Sequence, residues 1–409
     1  MRVPQRILGS SILVAISIAA IGAVSALLFV VGARSLVATE MADFVTIWVV
    51  LNTTVVALSA AFDQQGPRIV SRYDLFDGAL FTHATVLPAA GGLISLLLLD
   101  VVSPLPRISL SAIAYVLAVS LWTGERSTRL AHGEFKQLVT SAVSVLITCA
   151  LGLFIGTKLW GSSIETLFWS AALGNASGLI VFNCLPRTRK RQQFLRILPR
   201  NENLLAVSIA ISSGSALALS SGTVVLASRW GLSPERVVAL AGLVNLVRIP
   251  FMLLNSVSGP INVEIAKMFA TGNEVGAFQM TVKWLIRILI STVIIAFGIV
   301  LSGRFLLAIF IGSDYEFELS FAVAVVTVEG LILMSGLARY LGISSGRHGV
   351  VVGQWVIGLV VFGLIGLLDA LGEHRVVLAS TVGSLSTATL SIVWILQGLT
   401  HQEEPSLSC

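Results

Sequence analysis

In the stretch Ala239–Pro260, ALAGLVNLVRIPFMLLNSVSGP, an arginine stands in an apolar run long enough to lie in a bilayer. Asn245, Arg248 and Asn255 follow one another at steps of three and seven, which puts all three on one helical face. A guanidinium is a planar fork that can donate two parallel hydrogen bonds to a phosphate or carboxylate. A charge at mid-bilayer costs a few kcal/mol or more, so it faces a protein interior or a watery cavity. Pro250, two residues further on, takes the hydrogen bond away from the carbonyl of Leu246.

Two readings of Arg248 stand side by side. It is a cavity cation for an anionic ligand, or it is half of a buried ion pair with Glu329, the one other ionisable residue expected near mid-membrane. The two are compatible if Glu329 holds Arg248 and releases it when a ligand or proton binds. In the second apolar run Trp48, Asn52, Ser59 and Asp63 share a face, at steps of four, seven and four. That stripe either lines a central cavity opposite Asn245 or makes hydrogen bonds between neighbouring helices. Arg34 and Arg229 end the first and seventh runs, as ligand contacts or as interfacial arginines that snorkel to the surface. Arg68, Arg72, Arg126 and Arg129 gather at the other membrane face, where they attract anionic head groups or simply set topology. Ser212, Ser213, Ser215, Ser220 and Ser221 in one run, and a series from Ser380 to Ser391 in another, suit close helix packing. So do Gly152 with Gly156 and Gly174 with Gly178. The seventh run could also offer a polar path for hydroxyl-rich groups.

The elements that position these residues are membrane helices. The 409 residues are 56% hydrophobic and 11% charged, against about 25% charge in a soluble domain. Apolar runs fall near 7–32, 37–62, 79–102, 108–123, 138–156, 164–184, 204–228, 237–258, 281–302, 318–338, 349–369 and 375–398, which makes twelve expected spans. The first run is too long for a cleavable signal core and is read as a retained span. With both termini cytoplasmic, 18 Lys and Arg fall on that side and seven on the other, so the positive-inside rule sets this orientation. The net charge of +5 therefore serves topology and implies no nucleic-acid partner. Cys149, Cys184 and Cys409 have no metal or redox spacing. No phosphate-binding loop, zinc motif or nucleophile elbow occurs, so no enzyme activity, metal or cofactor is expected.

The chain repeats itself. Asn52 is followed fourteen residues later by Gly66-Pro67, and Asn245 fourteen residues later by Gly259-Pro260. Arg34 precedes Glu40 by six, as Arg229 precedes Glu235; Arg126 precedes Gly133 by seven, as Arg339 precedes Gly346. The expected organisation is an N-terminal six-helix lobe over 1–185 and a basic cytoplasmic linker over 186–203. A C-terminal six-helix lobe follows over 204–398, then a tail over 399–409. An even span count gives the lobes the same orientation about an axis along the membrane normal, with a cavity between them. Val55 stands where the repeat would place a second Arg248.

The runs ARSLVATEMADF, FDQQGPRIVSR, RLAHGEFK and VNLVRIPFMLLNSVSGPI resemble the landmarks of the O-antigen and polysaccharide flippases of the multidrug/oligosaccharidyl-lipid/polysaccharide exporter superfamily. Val37, Ala38 and Ala42 replace the Gly-Pro and Gly of the first landmark. The resemblance implies an all-α MATE-like fold in a cell membrane. It also implies alternating access, and an isoprenoid-pyrophosphate-linked oligosaccharide as substrate for cell-surface polysaccharide synthesis. The implied partners are that lipid, the bilayer, and glycosyltransferases or a glycan polymerase; no cofactor is implied. Arg248, Asn245, Asn52, Arg34 and Asn255 become the expected substrate contacts, with Glu329 as coupling group or ion-pair partner. The nearest alternative is a drug/cation antiporter of the same superfamily, although Ile7–Gly32 lacks the acid such proteins place in their first span. A membrane-embedded glycan polymerase or transferase is further away, because the connections are too short to hold a catalytic domain.

Overall fold

The computed structural model describes residues 5–72, 77–102, 110–186, 200–256, 258–312, 315 and 318–400. The described residues are almost all helical and include no strand. The helices are α1 (Gln5–Ser35), α2 (Ala38–Arg72), α3 (Asp77–Val102), α4 (Leu110–Ala131), α5 (Phe135–Leu159), α6 (Ile164–Cys184), α7 (Arg200–Arg229), α8 (Pro234–Ser256), α9 (Ser258–Ala270), α10 (Glu274–Ile311), α11 (Leu319–Ser344), α12 (His348–Gly366) and α13 (Arg375–Thr400). A 3₁₀ segment, Asp369–His374, leads into α13. Ten of these helices are long and apolar enough to cross a membrane, and the protein is a multi-pass membrane protein. Charge-bearing α4 and α8 lie outside that set.

Helix boundaries follow local chemistry. Ser163 caps α6 by accepting from the Thr166 amide at 3.1 Å, and Asn273 caps α10 by accepting from Gly276 at 3.0 Å. Gly133 and Gly346, the repeat landmarks, take φ of 71° and 76° and end α4 and α11 in the same way. The following amide reaches back five residues, Glu134 to Arg129 and Arg347 to Gly342, which satisfies a carbonyl at each helix end. Both positions require glycine because a side chain is strained at positive φ. Pro250 is carried inside α8 without ending it.

The repeat governs packing. In the first half α5 packs on α6, α4 on α6, α3 on α4, α1 on α5, and α2 on α3 and α4. In the second half α12 packs on α13, α11 on α13, α10 on α11, α7 on α12, and the α8–α9 pair on α10 and α11. Each contact of one set has its counterpart in the other. Glycines bring the closest pairs together: a Cβ on Gly174 would lie 2.9 Å from the Val145 carbonyl oxygen, and one on Gly383 would lie 2.8 Å from that of Gly358.

Between the halves α2 lies against α7, with smaller contacts of α1 and α2 on α8 and of α1 on α10. Let the near end of the bundle be the one where α1 begins and the far end the one where it finishes. The α2–α7 seam runs from Thr46 and Ser228 toward the far end, through Ala57 and Gly214, to Phe62, Leu205 and Ile209 toward the near end. The α1–α8 contact is described at Phe29 with Gly242 and at Gly22 with Met252. The main apolar core bridges both halves at the far end, through Phe29, Leu36, Leu240 and Ile311 among others.

Two sequence expectations are corrected. The fourth span was expected to finish at 123, yet α4 continues to Ala131 because its charges are paired. The eighth was expected as a single run to 258, but α8 ends at Ser256 and a separate helix, α9, follows from Ser258.

Candidate functional site

Arg248 of α8 and Glu329 of α11 meet inside the second half. Arg248 Nε donates to Glu329 Oε1 at 3.2 Å, and its Nη2 donates to the hydroxyls of Ser220 and Ser221 on α7. Ser220 in turn donates to Glu329 Oε1. Ser220, Ser221 and Glu329 are buried, whereas 24% of the Arg248 side chain is exposed. Taking either charge out of water alone is expensive, and the pair with its two hydroxyls limits that cost. Nη1 makes no hydrogen bond to a described residue. The guanidinium is thus anchored on its Nε/Nη2 edge, and part of the side chain stays exposed.

The first half has no such pair. The offset that takes Asn52 to Asn245 takes Val55 to Arg248, and the offset that takes Gly133 to Gly346 takes Val116 to Glu329. Val55 and Val116 are buried and close over Gly92, where a Cβ would come within 2.7 Å of Val116 Cγ1 and 3.3 Å of Val55 Cγ2. The fold therefore accepts an apolar pair at these positions.

Asn245 and Asn52 do the same local work: each donates through Nδ2 to the carbonyl four residues back, Ala241 or Trp48, at 2.9 Å. Asn52 Oδ1 also accepts from Tyr115 at 3.1 Å, and the Tyr115 ring lies against Trp48 and Phe168. Ser59 donates to the Val56 carbonyl, and Asp63 takes Arg126 and Ser127. The stripe on α2 is thus engaged within the first half. Arg34 lies away from Arg248, at the far end, where Nη2 donates to the carbonyl of Ile309 in α10. Asn255 belongs to α8, but its side chain, like those of Arg68 and Arg72, lies outside the described residues.

Sequence reasoning missed Arg129. It is 2% exposed and binds Glu125 at 3.1 Å and Glu134 at 2.5 Å. It also donates to the carbonyls of Phe182, Leu185 and Pro186 at the end of α6. A cation on these last carbonyls complements the helix dipole. Arg129 ties the α4–α5 turn to α6, and no head group can reach it. Two acids within five residues of one arginine were the available signal. Among the described residues no cluster of His, Cys, Asp and Glu could hold a metal.

No family model matches the chain, and no curated protein matches it significantly. Solved structures do match, over nearly the whole length. An outward-facing multidrug resistance MATE family transporter of the MOP superfamily aligns with a TM-score of 0.66 at 12% identity, covering 97% of each chain. An inward-facing structure of such a transporter gives 0.63 at 11% identity, covering 96% of each. The fold is that of the MATE transporters. A further neighbour is a MOP superfamily transporter from Pyrococcus furiosus Vc1, described as having a binding pocket of reverse polarity. It aligns with a TM-score of 0.64 at 13% identity, covering 97% of this chain and 96% of that one.

Proposed function

We propose that this protein is a transporter working by alternating access, and that it carries an isoprenoid-pyrophosphate-linked oligosaccharide across a cell membrane. The observation that carries this reading is Arg248: a partly exposed guanidinium within the bundle, fixed on one edge by Glu329, Ser220 and Ser221, with Nη1 bonded to no described residue. A pyrophosphate needs a fixed donor in transit, because its charge cannot cross hydrocarbon unscreened. Arg248 supplies one from within the second half. The structural neighbours support the transporter fold, and the sequence landmarks support the substrate class. In this reading the near end, where α6 finishes and α7 begins, faces the cytoplasm.

Drug/cation antiport is the competing reading, and it requires an acid free to take a cation or proton. Among the described residues Glu329 is the acid at this depth, and it is held by Arg248 and Ser220. The test is reconstitution of purified protein in liposomes with two assays: translocation of a fluorescent isoprenyl-pyrophosphate-linked glycan, and efflux of a lipophilic cationic dye driven by a sodium or proton gradient. Glycan translocation that Arg248→Gln abolishes is expected. Dye efflux that Glu329→Gln abolishes, without glycan translocation, would establish the antiporter instead.

A further inference from the structure

Comparison of the two halves shows an arginine that is repeated without its acid. In the first half Asp63 of α2 pairs with Arg126 of α4, and Ser127 adds a hydrogen bond to Asp63 at 2.6 Å. The repeat offsets carry Arg126 to Arg339 and Asp63 to Ser256. Arg339 of α11 has no carboxylate partner among the described residues. Its Nη1 donates to Ser213 of α7 at 2.7 Å and lies 3.5 Å from the Ser212 hydroxyl, and its Cζ sits 5.5 Å from the Tyr340 ring. Its Nε is enclosed and has no hydrogen-bond partner among the described residues.

Serine hydroxyls and a ring face orient a guanidinium but do not neutralise it. An enclosed N–H without an acceptor costs about 1–3 kcal/mol, and an uncompensated charge among membrane helices costs more. A bound anion relieves the second. Ten residues separate Glu329 from Arg339 on α11, so Arg339 lies about 15 Å nearer the near end than Glu329. Ser212 and Ser213 precede Ser220 and Ser221 on antiparallel α7 in the same sense.

We infer that Arg339, with Ser212 and Ser213, is a phosphate-binding station between the near end and Arg248. A phosphate docked there completes the missing ion pair. The phosphate belongs either to an isoprenyl pyrophosphate or to a bilayer phospholipid. Only the first source rests on the function proposed above; the station itself does not.

The test uses purified full-length protein in neutral detergent and three probes: inorganic pyrophosphate, farnesyl pyrophosphate and phosphatidylglycerol. Affinity is read by calorimetry, and the unliganded melting midpoint reports folding. Arg339→Gln removes the cation. Ser256→Asp keeps it and restores the acid that the first half has at this position. Both variants are expected to weaken phosphate binding by about ten-fold or more, as loss of a charge-assisted hydrogen bond does. If Arg339→Gln fails to fold, Ser256→Asp decides alone. Binding of the two pyrophosphates identifies the transported lipid as the source, and binding of phosphatidylglycerol alone identifies the bilayer; either supports the station. Unchanged affinity in both variants overturns the station, and if Arg248→Gln alone loses binding the proposed function still stands. No binding of any probe to the wild type also overturns the station.

Discussion

Arg248 Nε and Glu329 Oε1 are 3.2 Å apart in the second half, where the first half closes Val55 and Val116 over Gly92. One fold thus holds an ion pair and an apolar pair at equivalent positions. Packing alone does not need the charges, and this difference separates their structural cost from their use.

Single substitutions at the pair, Arg248→Val or Glu329→Val, leave the other charge without its partner. Breaking a fully buried pair costs about 3–5 kcal/mol, and less is expected here because 24% of the Arg248 side chain is exposed. The double substitution copies the first half and should recover most of the melting midpoint in detergent while translocation stays absent. A double variant that transports normally removes Arg248 from the substrate path.

Of the twelve expected spans, ten correspond to helices long and apolar enough to cross a membrane, and the charged fourth and eighth do not. The all-helical membrane frame was legible because hydrophobic runs report it directly. The interior of α4 was not: Glu125, Arg126 and Arg129 read as the end of a span, and only their partners Asp63, Glu134 and the α6 carbonyls make them compatible with a longer helix. Arg248 and Glu329 could be matched by depth, since charges at mid-membrane have few possible partners. The direction of Asn52 could not, because a polar stripe shows which residues share a face but not what that face meets. Tyr115 supplies the answer from a helix two spans away. Arg339 was in view as a repeat landmark, but its missing acid shows only when Asp63 is found on Arg126.

Arg129→Ala should be among the most damaging substitutions in the first half. It would take the guanidinium away from Glu125 and Glu134 and the last carbonyls of α6, at a cost of up to about 3–5 kcal/mol. Arg129→Lys is expected to rescue little, since one ammonium cannot reach two carboxylates and three carbonyls from the positions the guanidinium fork occupies. Membrane abundance and detergent melting measure both. A stable alanine variant would show that α6 is held without the clamp.

Glycine substitutions test the helix approach. Gly383→Ala places a methyl group 2.8 Å from the Gly358 carbonyl oxygen and 2.9 Å from Leu219 Cδ2, so α12 and α13 must move apart, with an expected loss of about 1–3 kcal/mol. At Gly298 and Gly353 a Cβ meets nothing within 4 Å, and alanine should leave the melting midpoint unchanged or raise it slightly. Equal loss at all three sites would assign the effect to backbone propensity instead of close packing.

The far end offers a test of alternating access. Thr46 Oγ1 of α2 and Ser228 Oγ of α7 lie 3.4 Å apart across the two halves, and Arg34 on the Ile309 carbonyl joins α1 to α10 at the same end. If the halves must separate there during transport, a covalent tie should stop the cycle. Cysteines at 46 and 228, introduced after replacing Cys149, Cys184 and Cys409, are close enough to pair after mild oxidation. Oxidised protein is expected to bind substrate but not translocate it, with recovery on reduction. Full activity in the cross-linked protein would mean that this seam stays closed throughout and that the moving contact lies elsewhere, with α1 against α8 the next pair to tie.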